Sequence, residues 1–250
     1  MEAVGLGLLL ALIGLAVAGH QRLRIRSELV ITLVRAAVQL TVVALIIEAA
    51  FSRLGYSALF VAVMFTAASW TAAHRMSGIN QRLWIAAGSV AAGAGTALLA
   101  LFGLGGYPLT PRYLIPIAGI LIGGTMTAAG LAGRRITDEL SSKVSEIEAR
   151  LSLGVTARYA LRSYVPGSIR TALIPVLDQT KNVGLVTLPG AFVGMILGGA
   201  SPVQAAQVQL TVLFSLLGAQ TIAATVSATG VARSFVGPGE GLASPQSTAS

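Results

Sequence analysis

The fold class predicted is an all-α, polytopic membrane bundle of about seven transmembrane helices with a cytoplasmic amphipathic segment. Three observations predict it: a mostly apolar composition, apolar runs long enough to span a bilayer, and basic residues that alternate loop by loop. Hydrophobic residues make up 54% of the 250 and charged residues 10%, with a mean hydropathy of +0.80. A soluble domain presents far more charge to water, so the solvent for most of this chain is lipid. There are 29 glycines against seven Phe and two Trp. That balance predicts helices in close approach rather than a bulky aromatic core.

The spans fall at 3–19, 30–50, 56–73, 83–103, 112–133, 183–200 and 206–229. Each is close to the roughly 17–25 residues that cross a bilayer as a helix. The first ends in Ala16-Val17-Ala18, like a signal-peptide cleavage site, but Glu2 precedes it and no Lys or Arg does, so it reads as a retained span. Arg22, Arg24 and Arg26 follow it, and the next short loop holds Arg53 alone. Arg75 and Arg82 lie in the loop after that, and the following one has no basic residue before Arg112. Arg134 to Lys181 carries eight basic residues, the loop at Ser201-Pro202 none, and the C-terminal end begins with Arg233.

This alternation predicts an N-terminus outside and a C-terminus in the cytoplasm, in a cell (inner) membrane. Residues 1–235 read as one transmembrane domain, and 236–250, short of bulky apolar residues, as a disordered tail. The net charge of +8 and pI of 10.8 belong to this topology, with the bilayer as partner, and not to nucleic-acid binding. The absence of cysteine excludes disulfides, thiolate metal sites, iron–sulfur clusters and cysteine nucleophiles.

Between about 134 and 182 the pattern becomes amphipathic. Ile136, Leu140, Val144, Ile147 and Leu151 recur every three or four residues, with Asp138, Glu139, Lys143, Glu146 and Glu148 on the other faces. Gly154 interrupts this helix, Thr156 is placed to cap a second short one, and Pro166-Gly167 is expected to end that. A third helical stretch leads from Ser168 through Pro175 towards the sixth span. A basic amphipathic connector can lie on anionic headgroups or dock on a partner, and both readings are open at this point.

The run Glu148-Ala149-Arg150-Leu-Ser-Leu-Gly154 is similar to the EAA…G coupling motif of ABC importer permeases, with Arg150 in place of the second alanine. A longer stretch, Arg170-Thr-Ala-Leu-Ile-Pro-Val-Leu-Asp-Gln-Thr-Lys-Asn-Val-Gly-Leu-Val-Thr-Leu-Pro-Gly190, resembles the signature of the FetB-type permeases. That family includes bacterial iron exporters and plant aluminium-sensitivity proteins. Val34-Arg35-Ala-Ala-Val-Gln39-Leu and Ile117-Ala-Gly-Ile-Leu-Ile-Gly-Gly-Thr-Met126 are similar to further family blocks. The resemblance implies a permease subunit, expected as a homodimer, that exports iron or another metal by alternating access. It implies a separate ATPase that carries the ATP and Mg and docks at Glu148, Ala149 and Gly154, while this chain binds no cofactor of its own. In keeping with this, no Gly-x-x-x-x-Gly-Lys-Ser/Thr occurs in the sequence.

Asp178, Lys181 and Asn182 are expected at the cytoplasmic entrance of the sixth span. They read either as a local ion pair or, with Pro189 and Gly190, as a gate coupled to the ATPase. Arg35, Gln39 and Glu48 lie within the second span, where a charge is costly and therefore marks a candidate substrate path. The thirteen residue steps from Arg35 to Glu48 separate them by ~20 Å of helix. Gly119 with Gly123, and Gly190 with Gly194 and Gly198, repeat at four-residue spacing and are expected first as packing faces. His20 and His74 lie at span ends and do not converge. The metal-binding residues, if metal is the cargo, are unknown: no Cys or paired His supplies a cage.

Other function classes stay in view. An ion-coupled secondary transporter, or an ABC permease for a different solute such as a nucleotide sugar, fits the same spans. An intramembrane hydrolase needs a Ser–His, paired-Asp or His-Glu-x-x-His constellation, which is absent. A scaffold without cargo leaves the long cytoplasmic segment unexplained.

Overall fold

The computed structural model describes residues 2–21, 25–76, 78–79 and 81–236, so Arg22, Arg24 and the expected tail beyond 236 lie outside the described residues. The chain forms two compact units, residues 1–56 and 57–250. In the first, α1 (Glu2–His20) packs on α2 (Arg26–Ser52). α3 (Leu54–His74) begins at the boundary. The second unit continues with α4 (Arg82–Leu98, prolonged by a π turn over Leu99–Gly103), α5 (Pro111–Ser142), α6 (Val144–Ser152) and α7 (Ala157–Arg162). It ends with α8 (Val165–Asn182), α9 (Gly190–Leu197) and α10 (Pro202–Ser234). Among the described residues five helices are long and apolar enough to cross a membrane: α2, α3, α4 with its π turn, α5 and α10. α1 adds a shorter apolar stretch, Gly5–His20. The protein is a multi-pass, all-α membrane protein.

Small residues set the centre of the second unit. A Cβ on Gly93 of α4 would run into the Ala219 carbonyl oxygen of α10 and lie 2.8 Å from Thr125 Cγ2 of α5. Gly124 of α5 faces Leu216 and Gln220 of α10 just as closely. Ser227 Oγ of α10 donates a buried hydrogen bond of 2.7 Å to the Ala129 carbonyl of α5. α3 joins through Gly130, which faces Ala72 and Arg75, and Gly133, which sits on the Met76 side chain. Alanines 86, 94, 118, 128, 219, 223, 224 and 228 fill the rest of this interior.

The segment over 134–182, expected to stand outside the membrane bundle, is separate from it only in part. α5 continues through Gly133 as one helix of 32 residues, because Ile136 and Leu140 remain buried on its inner face. α8 packs against both α5 and α10, with Ser168, Ala172 and Val176 buried at four-residue spacing. Pro166 stands in the first turn of α8, where a missing N–H costs nothing, and does not terminate α7. Val165 lies beside Ala232 and Arg233 at the C-terminal end of α10, and Val176 lies in the cluster of Leu121, Leu216 and Ala219. α8 therefore runs back into the bundle, antiparallel to α10.

The apolar run 183–200 is accordingly not one span. Val183–Pro189 is a turn and α9 has only 8 residues, about 12 Å of helix. The expected glycine face on it does not pack. A Cβ on Gly190 or Gly194 would meet nothing within 4 Å, and one on Gly198 would meet only carbonyls of its own helix. In α5, Gly119 meets Met64 Cε at 2.9 Å while Gly123 faces open space.

The frame gives a direct test. Alanine gains about 1 kcal/mol over glycine in helix propensity, whereas overpacking costs about 1–3 kcal/mol. Gly93→Ala should therefore lower the thermal midpoint of the detergent-solubilised protein. Gly88→Ala, in open space on the same helix, should hold or raise it. Equal midpoints for the two variants would contradict the packing described.

Candidate functional site: a broken helix and its hairpin

At the end of α5 the chain folds into a short helical hairpin, α6–turn–α7. The turn is a glycine-dependent helix stop: Gly154 has φ +83, its N–H donates to the Leu151 carbonyl at 2.9 Å, and Val155 N–H donates to Arg150 at 3.2 Å. Ile147, Ala157, Ala160 and Leu161 are buried against the end of the bundle. Glu148 and Ala149 are exposed on α6, and Leu153 at the tip is 84% exposed. Thr156 is the N-cap residue of α7, though its side chain makes no capping bond.

Arg150, which departs from the EAA-like pattern, ties the two arms. It pairs with Glu146 at 2.6 Å, donates to Ser163 Oγ at 3.1 Å, and lies over the Tyr164 ring at 5.5 Å. Lys143 also pairs with Glu146, at 3.2 Å. The hydrogen bond from Lys143, then the adjacent Tyr164, then the charges of Lys143 and Arg150 hold the Glu146 carboxyl below its ordinary 4.5. Burial pushes the Tyr164 hydroxyl up, and the Glu146 carboxylate adds to this. Although it lies near Glu146, that hydroxyl makes no hydrogen bond of standard geometry.

Only Ser163 and Tyr164 separate α7 from α8. α8 carries the chain into the bundle and stops at Asn182. The turn that follows satisfies much of its own backbone. Val186 and Thr187 N–H donate to the Asn182 carbonyl at 3.0 and 3.2 Å, and Gly184 N–H donates to Thr187 at 2.9 Å, with Gly184 at φ +83. Pro189 then caps α9 in extended conformation, and Gly190 is its first residue. The signature residues Asp178, Lys181, Asn182, Pro189 and Gly190 therefore flank one break in a helix. Asp178 and Lys181 are exposed, and among the described residues no ion pair joins them. Asn182 lies six residues past buried Val176, about 9 Å deeper along the helix. This corrects their expected position at a cytoplasmic entrance.

Two further polar residues escaped the sequence reading. Gln209 and Gln220 are buried on α10, and Gln209 Oε1 has no hydrogen-bond partner among the described residues. Their signal was available, since both fall on the stripe that runs from Ala205 through Val212, Leu216 and Ala223 at three- and four-residue steps. Arg35, Gln39 and Glu48 are exposed on α2 in the first unit. His74 Nδ1 lies 3.1 Å from the Trp70 carbonyl at the end of α3, and His20 ends α1. Among the described residues no group of three His, Asp or Glu side chains is placed to hold a metal ion.

A family model described as an uncharacterised protein family, UPF0014, matches residues 1–236. The chain is 34% identical to Protein ALUMINUM SENSITIVE 3 of Arabidopsis thaliana, over 88% of its length and 81% of that protein's. It is 36% identical to UPF0014 membrane protein STAR2 of Oryza sativa subsp. japonica, over 87% and 78%. It is 31% identical to Probable iron export permease protein FetB of Escherichia coli, over 90% and 88%. No solved structure matches.

Two outcomes follow from this geometry. Because the Glu146 carboxyl titrates below 4.5, its tie is complete above that pH and is lost as the pH falls beneath it. Exchange protection of the Leu153–Ala160 amides should fall over that acid range in the native chain, and should already be low at neutral pH in Arg150→Ala. For the break, non-helical backbone at membrane depth has to meet protein or water. In this cysteine-free chain, a cysteine placed by Thr187→Cys should react with a water-soluble maleimide, and one placed by Leu121→Cys should not. Labelling of Thr187→Cys only by a lipid-soluble reagent would place the break against lipid.

Proposed function

The chain belongs to the UPF0014 family, and on that premise we propose that it is the membrane-spanning permease of an ABC transporter, worked by a separate ATPase. The observation that carries this reading is the continuous path from hairpin to break. A glycine-turned hairpin with an exposed apolar tip stands at one end of the bundle. It leads within two residues into α8, and α8 ends at the break. A partner that grips Leu153 and the exposed Glu148 face can push or pull α8 along its axis, opening or closing the turn at Val183–Pro189 while α4, α5 and α10 stay fixed. The ATP and Mg belong to the partner.

In this reading residues 1–235 form the permease in a cell inner membrane, with the N-terminus outside and the hairpin and C-terminus in the cytoplasm. The basic residues of α5 to α7 support that orientation. The cargo is iron or another metal, a reading supported by the name of the Escherichia coli relative and by oxygen donors such as Asp178, which suit a hard or borderline divalent ion. Two copies of the chain complete the path. Leu185 and Val186, 91% and 76% exposed in the break, are the apolar surface that a second copy would cover.

A broken helix with polar residues at the break is also the architecture of ion-coupled secondary transporters, which gives that second reading its support. One experiment separates the two. The chain co-expressed with an ABC ATPase of its own organism should co-purify with it, and Glu148→Arg or Gly154→Leu should abolish the association while leaving the chain in the membrane. The reconstituted pair, screened over divalent metals and nucleotide sugars, should show substrate-stimulated ATP hydrolysis. Flux driven by a pH gradient through the chain alone, without ATP, would replace the ABC reading with the ion-coupled one.

A further inference from the structure

At the C-terminal end of α10, beside the hairpin, lies a cavity of about 370 Å³. Its walls are apolar, formed by Leu161 of α7, Val165 of α8, and Ala232 and Val236 at the end of α10. Three cations line it: Arg158 and Arg162, four apart on α7, and Arg233 in the last turn of α10. Three other arginines on this end of the protein are paired, Arg134 with Asp138, Arg135 with Glu139 and Arg150 with Glu146. Among the described residues the three around the cavity have no acidic partner within 4 Å. Grouped like charges repel, and an anion seated among them removes that repulsion. Guanidinium groups offer planar, paired donors that match phosphate oxygens.

The walls narrow the choice of anion. A free phosphate or a soluble nucleotide would satisfy the arginines and leave the apolar surface wet, whereas an amphiphile satisfies both. α10 is long and apolar enough to span a membrane, and Arg233 is its penultimate residue, so the cavity opens where headgroups meet acyl chains. We propose that this cavity holds one anionic phospholipid of the inner leaflet. Its phosphate rests on Arg158, Arg162 and Arg233, and the first part of an acyl chain lies against Leu161, Val165 and Ala232. The lipid braces the joint between α7 and α8, at the foot of the helix that reaches the break. This rests on the proposed orientation of α10, and is independent of the cargo, the direction of transport and the ATPase.

Native mass spectrometry of the full chain, released from nanodiscs of mixed phosphatidylglycerol and phosphatidylcholine, tests it. A single phosphatidylglycerol adduct should persist in preference to phosphatidylcholine. The Arg158→Gln, Arg162→Gln, Arg233→Gln triple variant should lose it by at least about ten-fold. Arg134→Gln, which removes a paired cation from the same end, should keep it. If the triple variant does not fold, Arg233→Gln alone should show a smaller loss in the same direction. Equal retention of phosphatidylcholine, an adduct untouched by the substitutions, or complete displacement by excess inorganic phosphate would overturn the lipid assignment. So would a triple variant that keeps its lipid and loses only the ATPase, which would assign these arginines to the partner.

Discussion

The structure of the second unit depends on backbone-to-backbone contact among α4, α5 and α10. In lipid there is no hydrophobic force between helices, because acyl chains are as apolar as leucine, so association rests on close van der Waals contact and a few hydrogen bonds. Gly93 against the Ala219 carbonyl, Gly124 against Leu216, and Ser227 bonded to Ala129 meet that requirement where the three helices come together. α3 and α8 add to this frame by the same device, α3 against Gly130 and Gly133 and α8 through Ser168 and Ala172. Alanine does as much as glycine here, since the interior holds few side chains larger than valine or leucine.

How much of this was legible in the sequence follows from which signals are one-dimensional. Hydropathy and alternating charge identify α2, α3, α4, α5 and α10, because a bilayer tests each helix separately and sets its length. The crossing between α5 and α10 is different. α8 carries Arg170, Asp178 and Lys181, so an average over its length reads as polar, and the apolar run 183–200 takes its place as the expected span. What seats α8 in the bundle is one face, Ser168, Ala172 and Val176 flanked by Val165, Ile169 and Leu173, with the charged residues on other faces. An average over all faces cannot register a stripe. Spacing alone likewise cannot tell glycines that pack, such as Gly93 and Gly124, from Gly190 and Gly194, which have nothing opposite them. The site was legible in part. The residues of the signature and the glycine-turned hairpin could be read from the chain, but their depth, the clamp at Arg150 and the buried Gln209 and Gln220 needed the packing.

In the proposed permease, the break between α8 and α9 is where the chain departs most from what a membrane asks of it. A continuous helix satisfies its backbone internally, and interrupting one at depth exposes amides and carbonyls that cost several kcal/mol each in hydrocarbon. The turn recovers part of that through the bonds to Asn182 and Thr187, yet Asp178 and Lys181 remain exposed without pairing to one another. A sequence selected for stability alone would have continued the helix. Departures of this kind are expected where function requires them, and the break is more informative about function than the better-packed residues around it.

The hairpin and the break lie at opposite ends of a single 18-residue helix, about 27 Å long. α8 is held by side chains along one face, whereas α4, α5 and α10 meet at their backbones, so in the proposed permease α8 is the element that moves. The same contrast explains why Arg150 stands where the EAA-like pattern has alanine. A force applied at the tip is transmitted only if α6 and α7 move as one body, and Arg150, bonded to Glu146 on one arm and Ser163 at the end of the other, joins them. In the proposed permease the arginine substitutes a specific tie for the small-residue packing of an ordinary hairpin, so that displacement of the hairpin reaches the break through α8 without being absorbed at the turn.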